Sequence, residues 1–378
     1  MPTTAAYVHI PFCAKKCGYC DFNAYSGYKD GTKARYVDAL VREIIARSEP
    51  NTQVPTVFFG GGTPTQLSAA DLGRILNAIR QHYTLDGNAE ITVEANPGDV
   101  SPAYLKELRE VGFNRLSFGV QTFNDRTLAL IDRVHSGEDA KRAIYAAREA
   151  GFDNISLDLM FALPRQTLRD WERAMNTAFT LPITHLSMYA LIVEEGTPFY
   201  ARRERGRLIL PSEKSETAMF ERAMCRANDA GFRHYEISNY ALPGFECRHN
   251  QTYWRNESYF GFGAGAVGYL NGVRQTNVKR PSAYIEAVHA QNGYVVAEEE
   301  RLTQEETIGE TMMVGLRQTA GIVLNDFAHR FGVRLEEQYK NVIAKHTATG
   351  LLVCNNERLH LTYRGVLLAH EVMVDFLC

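Results

Sequence analysis

Short apolar runs rich in β-branched and aromatic residues recur along the first half of the chain. They fall at Tyr7–Ile10, Val57–Phe59, Ile91–Glu94, Leu116–Val120, Ile155–Met160 and Leu186–Leu191. Between them the apolar residues return with a helical period. Val37, Leu40, Val41, Ile44 and Ile45 stand at i, i+3, i+4, i+7 and i+8 and share one helix face. Further helices are predicted over Ala69–His82, Pro102–Val111, Asp125–Ile131, Ala140–Ala150 and Thr167–Ala178. Strands alternating with helices imply right-handed crossovers and a parallel sheet. Six such units make a partial, TIM-like (β/α)6 barrel, short of the eight in a closed one. The gap in the wall would suit a large flat ligand or a second domain.

The pattern then changes. A helix is expected over Glu213–Asp229, stopped by Gly231, and a strand over Arg233–Tyr240. Pro243 and Gly244 break the next stretch, and Tyr259–Gly272 is rich in glycine and aromatic residues. After about Ala297 come charged helical patterns at Glu305–Leu316, Leu324–Phe331 and Leu335–His346. A hairpin over Leu351–Cys354 and Arg358–Leu361 turns at Asn355-Asn356, and a last helix lies near Gly365–Phe376. That order reads as a winged helix. Three regions follow: a barrel over 1–240, a connecting region over 241–297 and a small α+β domain over 298–378.

Composition limits the functions available. The chain has 378 residues, of which 45% are hydrophobic, so a sizeable core can be buried. Lys and Arg number 41 against 44 Asp and Glu, a net charge of -3. A dedicated nucleic-acid binder would show a basic excess. In the terminal domain acids such as Glu336, Glu337 and Glu357 interrupt the basic residues. That domain is therefore expected to serve as a lid or docking surface and not to bind DNA. No apolar run approaches the ~20 residues of a membrane helix. The start, Met1-Pro2-Thr3-Thr4-Ala5, has no secretory pattern, so a cytoplasmic protein is expected, with peripheral membrane contact left open.

Candidate chemistry concentrates in Cys13-Ala14-Lys15-Lys16-Cys17-Gly18-Tyr19-Cys20, which follows the first strand. The C-x3-C-x2-C spacing lets one loop wrap an iron–sulfur cube with three thiolates, leaving one iron open. A zinc site would add a second knuckle or histidines. Cys225, Cys247, Cys354 and Cys378 are instead scattered. A structural disulfide does not suit a chain of seven cysteines without a secretory signal.

Parallel barrels place their chemistry where strands end. The second strand ends in Gly60-Gly61-Gly62-Thr63-Pro64, where glycines admit close backbone approach; no Gly-Lys-Ser/Thr follows, so it is not a Walker loop. The third ends at Glu94, whose carboxylate could accept ribose hydroxyls. The fourth ends at Gln121, and the fifth carries Asp158 among leucines and a methionine. A buried carboxylate needs a partner, and Arg133 could supply that charge or grip a ligand carboxylate. Each of these is also compatible with a purely structural ion pair. Gly263-Ala264-Gly265-Ala266-Val267-Gly268 fits G-x-G-x-x-G, but no first strand precedes it, and it reads as a loop where backbone approaches a ligand cavity.

The cysteine loop and the strand ends together resemble the radical S-adenosylmethionine (SAM) superfamily. His9-Ile10-Pro11-Phe12-Cys13, Gly60–Pro64, Ser117–Gln121 and Leu163-Pro164-Arg165-Gln166-Thr167 are similar to the coproporphyrinogen dehydrogenase (HemN) family over nearly the whole chain. The resemblance implies a [4Fe–4S] cluster on Cys13, Cys17 and Cys20. It implies SAM contacts by Tyr7, Gly61, Gly62, Thr63, Glu94, Gln121, Arg133 and Asp158. Two departures point to one branch. Phe22 stands where the dehydrogenases carry a further cysteine, and the cluster loop begins early, at residue 13. Both are features of the HemW-type haem chaperones, as is His249-Asn250-Gln251-Thr252-Tyr253-Trp254.

That branch implies haem as ligand, an acceptor protein as partner, and an electron donor of the flavodoxin or ferredoxin kind. Histidine is a standard axial ligand of haem iron, so His249 is the first candidate and Cys247 the second. Without the resemblance His249 reads as a core histidine bonded to a backbone carbonyl, with Trp254 in the core. The competing expectations are oxygen-independent oxidative decarboxylation of coproporphyrinogen III in porphyrin biosynthesis, and a DNA-binding regulator that senses through its cluster.

Overall fold

The computed structural model describes residues 3–377. β1 (Ala5–Ile10) leads into two short strands, β2 (Phe12–Cys13) and β3 (Tyr25–Ser26), which pair with each other across the cysteine loop. α1 (Asp30–Ala46), β4 (Gln53–Gly61), α2 (Ala69–His82), β5 (Thr84–Ala95), α3 (Pro102–Val111), β6 (Arg115–Gln121), α4 (Asp125–Leu130), α5 (Gly137–Glu149), β7 (Asn154–Phe161), α6 (Leu168–Ala178) and β8 (His185–Ala190) follow. The strands β1, β4, β5, β6, β7 and β8 are parallel neighbours in that order, the six expected. Short polar side chains start the crossover helices: Ser68 caps α2, Ser101 caps α3, Asn124 caps α4, Ser136 caps α5 and Thr167 caps α6. At α5 and α6 an aspartate three residues on returns the bond and completes a capping box.

Beyond β8 the chain forms α7 (Pro198–Glu204) and α8 (Glu213–Asp229). The strand expected over Arg233–Tyr240 is two, β9 (Arg233–Glu236) and β10 (Asn239–Ala241), folded back antiparallel, with β10 on β8. The buried Glu236 carboxylate bonds the Ser238 N–H and the Asn239 amide and turns the chain between them.

On the other side the glycine-rich stretch extends the sheet. After α9 (Arg248–Trp254), β11 (Tyr259–Phe262) pairs parallel with β1, a seventh parallel strand. β12 (Val267–Leu270), β13 (Val273–Asn277), α10 (Pro281–Ala290) and β14 (Val296–Arg301) come next. β12, β13 and β14 continue antiparallel, and β14 ends the twelve-strand order. The G-x-G-x-x-G turn packs behind the cysteine loop: a Cβ on Gly263 would lie 2.5 Å from the His9 carbonyl, and Asn23 Nδ2 donates to Ala264 O at 2.9 Å.

One buried carboxylate joins these parts. Glu43 on α1 accepts from Arg47 Nη1 at 2.9 Å, Asn277 Nδ2 at 2.9 Å, Tyr284 Oη at 2.6 Å and the Gly263 N–H at 2.8 Å. It ties α1 to β13, α10 and the turn after β11.

The terminal region holds α11 (Gln304–Gly315), β15 (Ile322–Val323), α12 (Leu324–Phe331), α13 (Leu335–Gln338), α14 (Lys340–Ala348), β16 (Leu352–Cys354), β17 (Arg358–Leu361), α15 (Tyr363–Leu367) and α16 (Ala369–Val374). Its sheet runs β15-β17-β16. Two expected helices are interrupted, one at Tyr339 and one at Leu368, where the backbone leaves helical angles. The region bonds back to the barrel, with Ile237 N–H on Arg317 O at 3.0 Å and Thr319 N–H on Tyr235 O at 3.1 Å. Among the described residues no helix is long and apolar enough to cross a membrane.

Candidate functional site

The C-terminal ends of the parallel strands open on one pocket. Inward positions alternate along each strand, so β6 presents Ser117, Gly119 and Gln121 to it. Cys13, Cys17 and Cys20 occupy one wall. Gly61, Gly62, Thr63, Glu94, Gln121, Arg133 and Asp158 occupy the rest. Tyr7 stands one layer deeper against Gly60, its hydroxyl donating to His9 Nδ1 at 2.9 Å while His9 Nε2 donates to Asn23 O.

The glycine turn is demanded by space. Gly61 has φ +113°, and a Cβ there would strike the His9 ring at 2.4 Å. A Cβ on Gly62 would meet the Phe12 carbonyl at 2.7 Å. The turn therefore lies directly against the cysteine loop, and Thr63 Oγ1 reaches Cys13 Sγ at 3.6 Å. Arg133 bridges the two walls: Nη1 lies 3.8 Å from Cys17 Sγ, and Nη2 donates to Asn96 Oδ1 at 2.5 Å and to Gly119 O. Asn96, Ser117, Gly119 and Tyr189 also line the pocket, and none of them is assigned a ligand contact from sequence. Period-two alternation from Gln121 back along β6 was the available signal for two of them.

Burial dominates the electrostatics. Glu94 is pushed up to about 8, by desolvation first and by the neighbouring Asp158 charge second, against the Gly61 N–H that bonds Oε2 at 3.2 Å. Asp158 is pushed up to about 6 by burial, opposed first by Arg115 and then by the Ser117 hydroxyl and Arg133. The charge facing Asp158 is thus chiefly Arg115, which the sequence reading did not name; Arg133 is the lesser one. Burial also raises the thiols of Cys13 and Cys20, the latter to about 11.

His249 and Cys247 lie at the other end of the barrel, where the strands begin. α9 closes that floor. Glu90 accepts from the N–H groups of Arg248 and His249, each at 3.0 Å, and from Cys247 Sγ at 3.5 Å. His249 is 1% exposed, and its ring stacks on Phe58. Its Nδ1 is 2.8 Å from Thr56 Oγ1 and its Nε2 is 2.8 Å from Tyr253 Oη. Burial, with Arg115 beside it, lowers the imidazole to about 3, and burial raises Cys247 to about 12. The structure thus gives His249 side-chain partners on both nitrogens, where the core reading foresaw a backbone carbonyl. Trp254, from the same motif, faces the terminal region, with Arg317 over its ring at 4.4 Å. Cys225 is exposed, Cys354 half-buried, and Cys378 lies outside the described residues.

A partial parallel (β/α)6 barrel with three cysteines beside a glycine turn at its strand ends defines a radical SAM protein. The sequence profile of the radical SAM superfamily matches residues 7–178, and that of the HemN C-terminal domain matches 302–368. "Heme chaperone HemW" of Bacillus subtilis (strain 168) is 44% identical, with 99% of each chain covered. The HemW of Escherichia coli (strain K12) is 36% identical over 76% of each. The solved structure of coproporphyrinogen III oxidase (HemN) from Escherichia coli, a radical SAM enzyme, superposes with a TM-score of 0.87 at 25% identity, covering 99% of this chain and 90% of that one. The chain belongs to the HemW family.

Proposed function

We propose that this chain binds haem and passes it to an acceptor protein, on a scaffold that holds a [4Fe–4S] cluster and SAM. The similarity to proteins named heme chaperone along 99% of the chain carries this reading. Cys13, Cys17 and Cys20 would hold the cluster. Their side chains line one pocket beside the glycine turn, and Thr63 Oγ1 reaches Cys13 Sγ at 3.6 Å. That arrangement fits a cube, which takes each thiolate on a different iron. The bound cluster would supply a redox centre with one open coordination position. Gly61, Gly62 and Thr63 would bring backbone groups to the SAM methionine part, with Tyr7 supporting the turn from below. Glu94 and Asp158 would face its cationic and hydroxyl groups, and Gln121 and Arg133 would bind its polar ends. The chain would work in the cytoplasm, with peripheral membrane contact where its acceptor requires it.

Haem would engage α9. For the His249 imidazole to reach iron it must release Thr56 or Tyr253. Breaking that bond would oppose haem binding at this residue. Replacing His249 with Ala should therefore lower stability by roughly 1–3 kcal/mol through unpaired buried partners and also weaken haem binding. Haem titration of the folded, reconstituted variant, read at the Soret band, checks this. An unchanged affinity and spectrum would remove His249 and make Cys247 the next residue to test.

SAM binding should depend on pH. Its sulfonium and ammonium groups favour ionised Glu94 and Asp158. Both have values raised above the ordinary carboxylate range, so affinity should rise as pH passes about 6 and again about 8. In the free protein the sign is opposite: the Glu94 contribution to stability is complete below about 4.5 and is lost as pH rises through about 8. Calorimetric titration of the wild type and Glu94→Gln tests this, since the variant should lose the upper step.

The fold similarity to coproporphyrinogen III oxidase supports a second reading, porphyrinogen decarboxylation. Anaerobic formation of protoporphyrinogen from coproporphyrinogen with SAM and a reductant would displace the chaperone-only function.

A further inference from the structure

We propose that the terminal region gates the access of haem, with Arg330 holding the last turn of α9 closed over His249. This rests on the haem reading above. Different parts of the molecule hold the two ends of α9. Its first turn belongs to the barrel, where Glu90 on β5 accepts from the N–H groups of Arg248 and His249. Its last turn is held from the terminal region. Arg330 on α12 donates from Nη1 to Arg255 O at 2.7 Å and from Nη2 to Asn256 O at 2.6 Å. A guanidinium at this end of a helix also meets the negative end of the helix dipole. Asn256 ends the helix in the left-handed conformation, at φ +49°, and its Nδ2 donates to Thr311 Oγ1 on α11 at 3.1 Å.

The last turn carries the group that covers His249. Tyr253 stands one turn after it, with its hydroxyl 2.8 Å from Nε2 and its ring edge-on to the imidazole at 5.0 Å. Nδ1 is held from the barrel, by Thr56. Loosening the last turn would take Tyr253 away and free Nε2, while Thr56 kept the ring oriented. The opening must also break an edge-on contact of Tyr253 with Tyr259 at 4.7 Å. Room for it lies beside the helix. A cavity of about 740 Å3, a size suited to a small ligand, separates α9 from the terminal region. Trp254 and Arg255 line one side, and Ile322, Phe327, Phe331 and Arg358 line the other. Glu257 and Asp326 stand among these bases, so His249 and not charge identifies the ligand. The closed contact is imperfect: among the described residues Trp254 Nε1 and Arg317 Nε are buried there without a hydrogen-bond partner. Unpaired buried donors disfavour the closed state. Haem would enter by this cavity. The neutral imidazole would keep its proton on Nδ1, toward Thr56, and give the Nε2 lone pair to iron, whose oxidation state does not change.

The test mixes the full chain, reconstituted anaerobically, with haem and follows the Soret band by stopped flow. R330M keeps the apolar stem and removes both donors. Its haem association should be roughly tenfold faster than that of wild type, because the observed rate follows the open population. T311V should act in the same direction by less. Without haem, amide hydrogen exchange in R330M should quicken over residues 251–257 and stay at the wild-type rate along β5. Arg330 does not line the cysteine pocket, so iron content and SAM binding should match wild type. Haem association in R330M equal to or slower than in wild type overturns the proposal, whatever the exchange shows. Should R330M not fold, T311V decides by the same criterion. Acceleration that persists in R330M/H249A would leave the gate standing and remove His249 as the haem ligand. Absence of haem binding by wild type and R330M alike would sink both the gate and the haem reading.

Discussion

Replacing Cys17 with Ala should abolish the iron–sulfur cluster and leave the barrel folded. Three cysteines line the pocket, and the other described ones lie elsewhere: Cys225 is exposed, Cys247 is on the barrel floor and Cys354 is in the terminal region. No spare thiolate stands ready to replace Cys17, and two cannot hold a cube that already lacks its fourth protein ligand. The fold has little stake in this sulfur. Cys17 is partly exposed, and beside Tyr19 its sulfur makes long contacts to Arg133 at 3.8 Å and to Asp132 O at 4.0 Å. Stability without metal should stay within about 1 kcal/mol of wild type. Iron and sulfide analysis after anaerobic reconstitution, with circular dichroism of the same sample, measures both quantities. Iron at wild-type stoichiometry would refute the assignment, and Cys354→Ala serves as the control that keeps its iron.

The largest effect on stability should come from Glu43→Ala, which we expect to lower it by about 3–5 kcal/mol. Glu43 is wholly buried, and the substitution leaves the Arg47 guanidinium, the Asn277 amide, the Tyr284 hydroxyl and the Gly263 N–H without their acceptor. The positive partner is itself largely buried, so water compensates poorly. Urea unfolding followed by far-ultraviolet dichroism provides the measurement. A loss under about 1 kcal/mol would mean that the β11–β13 extension holds to α1 by packing alone.

Much of this architecture was readable from local pattern. The six parallel strands and their helices follow from alternation of periods, because each element buries a face of its own. The cysteine loop and the strand-end residues were readable because chemistry fixes their spacing. Other features depend on partners far along the chain. Nothing within Tyr259–Phe262 states that it will lie parallel to β1, about 250 residues earlier. Arg115 opens a strand and looks like any solvent-facing end until the floor helix covers it, leaving its Nε buried without a hydrogen-bond partner. Neither the break at Tyr339 nor the one at Leu368 carries a proline or glycine, so tertiary packing overrides a locally continuous helical pattern. For His249 the motif was legible, but its burial beneath Phe58 and Tyr253 was not.

The sheet remains open, and its last strand shows how that can be tolerated. Along β14, Glu298, Glu299 and Glu300 are all exposed. Two copies meeting edge to edge would bring these carboxylates together, and like charges facing each other across a ladder disfavour pairing. The acidic strand thus acts as a terminator. It lets a twelve-strand sheet stop growing without closing on itself, so that the molecule can keep a gap in its wall and still avoid polymerising through it.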